Sequence, residues 1–173
     1  AMIALTLAVA AWGGFGRVLN LRRPVDGWGT VPSALTAMAV LVALFNFAAT
    51  LLFPDQMASD LEQFRQIARA PAFGLTAMAV GLGASFSEEL LFRGLLLAPL
   101  AGTRLGYWPA AVVATLAWTL LHLNFSWLGL VDVFLFGLYF SWLLWRSGSL
   151  WPAIICHSVY NSGLLVVLRH WPG

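Results

Sequence analysis

The sequence predicts an all-α fold, a polytopic transmembrane helix bundle of about six spans with a polar site inside the membrane. Three observations carry this. Of 173 residues, 61% are hydrophobic and 9% charged, against roughly 45–50% and 25% in soluble domains. The apolar residues gather in runs of about 20, enough to cross a bilayer, and Trp, Arg and Pro mark the ends of the runs. One run also holds three ionisable side chains, in Ser87-Glu88-Glu89-Leu90-Leu91-Phe92-Arg93-Gly94. A charge near the bilayer centre costs at least ~2.5 kcal/mol, so such a residue faces a polar interior and has a function there.

In chain order, residues 2–15 are apolar but short for a span, and they carry no basic stretch of the kind that precedes a signal peptide. Residues 28–53 form a clear span between Trp28 and Pro54. Over 54–71, Asp55, Asp60, Glu62, Arg65 and Arg69 alternate with Met57, Leu61, Phe64 and Ile67. The apolar set recurs at helical spacing, so this is an amphipathic helix, lying at the interface or serving as a solvated linker. Residues 72–100 are the third span, which carries the Glu pair. Residues 107–125 are the fourth and contain His122. Residues 127–145 are the fifth, with Asp132 in the first turns, and 150–168 are the sixth, with His157 and Asn161. No interdomain linker interrupts the series, so residues 1–173 read as one domain with its motif-bearing part at 72–168.

Charge and cysteine content exclude several classes. The nine basic residues are all Arg, set against seven acids. They sit mostly at segment ends and mark topology, not a nucleic-acid face. Connections with Arg17, Arg22, Arg23, Arg104 and Arg146 fall on one side of a six-span bundle. Those with Arg65, Arg69 and Arg169 fall on the other, so the first side is expected to be cytoplasmic. A single Cys156 excludes an intrachain disulfide and a Cys-rich metal site.

Spacing separates the roles within the third span. Glu89 and Arg93 are i, i+4 with Glu on the N-terminal side, the better order for an ion pair. Glu88 points about 100° away and is left available for chemistry. The competing reading is a buried structural cluster of all three. His157 and Asn161 are again i, i+4 and share a helix face. Counted from the Arg104/Arg146 side, Glu88 lies at ~20 Å, His122 at ~22 Å, His157 at ~12 Å and Asn161 at ~18 Å, at 1.5 Å per residue. All fall within a ~30 Å hydrocarbon layer. Carboxylate, imidazole and amide from three helices in overlapping strata are what a catalytic site requires.

These motifs carry a resemblance. Glu88-Glu89-x-x-x-Arg93, then an aromatic residue four before His122, then His157-x-x-x-Asn161 resemble the three motifs of the CPBP family, the CAAX prenyl protease type II and bacteriocin-processing-like intramembrane endopeptidases. The middle motif commonly reads Phe-x-x-x-His, and here Trp118 takes the Phe position. The resemblance implies peptide-bond hydrolysis in or at the edge of the bilayer. Glu88 would act as general base towards a water that His122 also holds. His157 and Asn161 would donate to the developing oxyanion, and Glu89 and Arg93 would lock the helix. It also implies a membrane protein or peptide substrate with a hydrophobic or C-terminal segment, a myxosortase-like role being one form, in a bacterial inner membrane. Two His and a Glu are a possible zinc set. The absence of His-Glu-x-x-His and the poor ligand quality of Asn161 favour direct action of the glutamate, with no cofactor.

Other classes compete. A transporter or proton relay would also place Glu, Arg and His in the membrane, but no inverted repeat is visible. A catalytically inactive scaffold is opposed by the intact motif set. Cys156 adjoins His157 but points away from it and reads as an inert thiol.

Overall fold

The computed structural model describes residues 19–171, which form six helices and no strand. α1 is Thr30–Leu52, α2 Pro54–Ala68, α3 Phe73–Ala101, α4 Tyr107–Thr119, α5 Trp127–Ser147 and α6 Trp151–His170. A 3₁₀ turn, Leu120–His122, extends α4. The expected span at 2–15 lies outside the described residues. α1, α3, α5 and α6 are long and apolar enough to cross a membrane, and the protein is an integral membrane helix bundle.

The fourth expected span is shorter than the sequence suggested. α4 has 13 residues, about 20 Å of helix, so with its 3₁₀ turn it still falls short of a ~30 Å layer. The reason lies just beyond it. Ser126 accepts from the Gly129 N–H and starts α5, and Asn124 and Phe125 are needed for the turn. His122 consequently sits at a helix end, not in mid-span.

Local chemistry sets the other boundaries. Pro54 cannot continue α1 and serves as the first residue of α2. α5 stops at Gly148, whose φ of 60° is the left-handed conformation that glycine adopts without strain. That turn is held by the preceding segment. Arg22 Nε donates to the Gly148 carbonyl at 2.7 Å, the Ser149 hydroxyl donates to the Arg22 carbonyl at 2.6 Å, and the Val25 N–H donates to the Ser147 carbonyl at 2.9 Å.

Side-chain size decides the packing. α4 buries Ala110, Ala111, Ala114, Thr115 and Trp118 along one stripe, and these small residues bring it close to α3 and α5. α5 answers with Phe136, Gly137, Phe140, Ser141 and Leu144. α2 is amphipathic as expected, and it packs instead of lying free. Leu61 and Phe64 rest on the cluster of Ala68, Leu165 and Leu168. It is tied at its middle and at its C-terminal end. Asp60 accepts from the Ser126 N–H at 2.7 Å and from the Ser126 hydroxyl at 2.6 Å. Arg169 donates to the Ala68 carbonyl at 2.9 Å. α2 is thus a brace between the start of α5 and the end of α6.

Removing one tie tests the brace. Asp60→Ala deletes two charge-assisted bonds at a helix start, each of which contributes about 1.5–3 kcal/mol. The thermal midpoint in detergent should fall, and a midpoint equal to that of the parent protein would contradict the bracing role.

Candidate active site

α3 brings the two glutamates to opposite surroundings. It is one continuous helix, but it is π-wound over Ala77–Ala84 and again over Leu90–Leu97. Only Ser85–Glu89 between them is regular α-helix. Such wide turns inside α-helices recur at functional sites, and no periodicity in the sequence announces them.

Glu89 and Arg93 are both wholly buried and pair at 3.1 Å, as their spacing indicates. Arg93 does more than neutralise. Its second terminal nitrogen donates to the Gly137 carbonyl at 3.1 Å, and its guanidinium carbon lies 4.5 Å from the Trp118 ring centroid and 5.6 Å from that of Phe140, favourable cation–π placement. Gly137 makes this possible. A Cβ there would lie 3.0 Å from an Arg93 nitrogen and 3.1 Å from Trp118 Cε3. One side chain therefore joins α3, α4 and α5.

Glu89 has a second partner that the sequence did not show. Its Oε1 lies 2.9 Å from His157 Nδ1. Against a carboxylate already paired with Arg93, that nitrogen carries the proton and donates, a tautomer assigned from the hydrogen-bond network. His157 Nε2 then faces Glu88, 3.9 Å from Oε2. The His157 ring also stacks on Phe140, with centroids 5.0 Å apart.

Glu88 keeps 16% of its side chain exposed and lines a cavity of about 560 Å³. His122, His157 and Asn161 line the same cavity, as do Trp118 and Asp132. The cavity occupies the half of the bundle away from the α5–α6 connection. Met38, Val42, Phe64, Phe125 and Phe136 give it largely apolar walls.

The remaining predicted residues have definite partners. His122 Nδ1 lies 3.1 Å from the Trp118 carbonyl and so donates to it, which leaves Nε2 as the acceptor. Asn161 Nδ2 donates to the Val80 carbonyl at 3.3 Å and the Ser85 hydroxyl at 3.2 Å. The Val80 bond ties α6 to the first π-wound stretch of α3, and the Ser85 bond to the regular turn that follows it. Among the described residues no group of three His, Cys, Asp or Glu side chains has the mutual spacing to hold a metal ion.

Trp118 was expected only as an aromatic neighbour of His122. Its ring is indeed edge-on to His122 at 5.1 Å, and to His157 at 5.5 Å. Its indole N–H also donates to Glu88 Oε2 at 2.7 Å. The signal was available in the sequence, because a buried Trp N–H has to find an acceptor. Asp132, in the first turns of α5, lines the cavity. Cys156 is buried, as expected.

Two substitutions probe this core. Arg93→Ala strands a buried carboxylate and should cost about 3–5 kcal/mol, seen as a loss of folded, monodisperse protein in detergent. Gly137→Ala overpacks the same point and should cost about 1–3 kcal/mol. Unchanged unfolding midpoints for both would show that the pair is not under structural constraint.

Comparison with known proteins follows the same residues. No curated protein and no solved structure matches the chain. Residues 70–163 match the family described as type II CAAX prenyl endopeptidase Rce1-like. That segment is more than half of the 173 residues and runs from the start of α3 through Glu88, Glu89, Arg93, His122, His157 and Asn161. The chain therefore belongs to the Rce1-like family of type II CAAX prenyl endopeptidases and is an intramembrane protease acting on membrane-associated peptide substrates.

Proposed function

We propose that Glu88 is the general base of a glutamate-type intramembrane endopeptidase. A water held between Glu88 and His122 Nε2 gives a proton to the carboxylate. Its oxygen attacks the scissile carbonyl carbon, and the C–N bond then breaks as Glu88 returns that proton to the leaving amine. The observation that supports this most is that Glu88, His122 and His157 line one apolar-walled cavity while the wholly buried Glu89 is paired through Oε1 with Arg93 and His157.

His157 and Asn161 are the proposed oxyanion donors. With Nδ1–H held by Glu89, His157 presents Nε2 to the site, and a proton carried there would be donated to the charge that develops. Asn161 contributes by transferring one of its two long bonds from α3 to the oxyanion as substrate seats. The cavity walls suit a peptide whose hydrophobic or C-terminal segment lies in the bilayer, and a myxosortase-like trimming role fits that class. A bacterial inner membrane is the proposed location.

A zinc-dependent reaction through Glu88, His122 and His157 is the alternative outcome of the test. Glu88→Gln removes the base with little change of volume. Turnover should fall about 10²- to 10⁴-fold, with substrate binding retained and with parent activity surviving exhaustive chelation. Chelator-sensitive activity restored by zinc, with stoichiometric metal in the purified protein, would overturn the glutamate reading.

A further inference from the structure

The indole of Trp118 touches both the buried ion pair and the proposed base. Its N–H donates to Glu88 Oε2 at 2.7 Å, its face carries the Arg93 guanidinium at 4.5 Å, and it is 3% exposed. A carboxylate side chain turns freely unless something holds it. Here Oε2 is held by the indole on one side and has His157 Nε2 3.9 Å away. This leaves Oε1 as the oxygen free to take a proton.

The indole is itself held. Arg93 covers its face, the absent Cβ of Gly137 leaves room at Cε3, and Phe140 lies 6.2 Å from its centroid. The neighbouring residues Glu88 and Glu89 are thus linked through space by Arg93 and Trp118, although their side chains diverge on the helix. Phenylalanine could supply the ring and the cation–π contact but has no donor.

We propose that Trp118 is a positioning residue for catalysis in this chain, orienting the Glu88 carboxylate through its indole N–H so that Oε1 meets the water. The proposal rests on the reading of Glu88 as the base. The task of the Trp118 N–H is geometric: it sets where the proton goes, and substrate affinity does not depend on it.

Two replacements of Trp118 test this. Trp118→Phe removes the donor and part of the ring. β-(3-Benzothienyl)alanine at the same position keeps the bicyclic shape and puts sulfur where the N–H was, so it decides the matter if the Phe variant fails to fold. Both should lower kcat on the order of 10- to 100-fold, the penalty of a misplaced reacting group, with KM unchanged. In the parent protein, the indole ¹H–¹⁵N resonance that disappears in Trp118→Phe should shift upfield in Glu88→Ala. A benzothienyl enzyme with parental kcat, while Glu88→Gln is inactive, would overturn the positioning role and leave the base intact. An indole resonance that does not move in Glu88→Ala would overturn the hydrogen bond. A fully active Glu88→Gln enzyme would remove the base, and the positioning role with it.

Discussion

A guanidinium and a carboxylate with no exposed surface, inside a membrane protein, constrain everything around them. Taken alone, neither charge is tolerable at that depth. Paired at 3.1 Å, they become tolerable to the extent that the remaining donors and acceptors are also met. Arg93 meets part of that demand with the Gly137 carbonyl and two aromatic faces. Glu89 Oε1 takes the His157 N–H as well, while Glu89 Oε2 and Arg93 Nε find no partner among the described residues. Satisfying one ion pair therefore fixes the mutual placement of α3, α4, α5 and α6, the helices that carry every proposed site residue.

The same constraint divides labour between two adjacent glutamates. Glu89 is wholly buried and holds both Arg93 and His157 at Oε1. Glu88 accepts one strong bond, from Trp118, and otherwise faces a cavity. Identical side chains one residue apart thus differ in surroundings because a helix turns them by about 100° into different environments. The carboxylate on the Nδ1 side of His157 also fixes which nitrogen faces Glu88, an orientation that Oε2 at 3.9 Å makes chemically relevant.

Much of the fold was legible in the sequence because membranes impose simple rules. Span lengths follow from bilayer thickness, and the Glu89–Arg93 contact follows from i, i+4 spacing. The bounds of α1, α3, α5 and α6 fall close to the runs that composition marked. What escaped depended on contacts between elements. The shortness of α4 came from the cap that Asp60 and Ser126 build for α5, which lies in no single segment. The π winding of α3 has no hydrophobic period of its own. Trp118–Glu88 and Glu89–His157 join residues 30 and 68 positions apart, and no local pattern predicts such pairs. Asn161 lines the cavity, and its bonds to Val80 and Ser85 depend on a helix packing that only the structure displays.

The central claim is that the buried Glu89–Arg93 pair organises the site and does more than neutralise itself. The most direct measurement replaces both partners with methionine and compares that protein with each single replacement. Either single change leaves a buried charge unpaired and should cost about 3–5 kcal/mol. The double replacement removes both charges at similar volume and should recover most of the thermal midpoint. It should nevertheless be inactive, because His157 loses the carboxylate that sets its tautomer and Trp118 loses the cation that holds its ring. A stable double variant that cleaves substrate at the parental rate would contradict the claim.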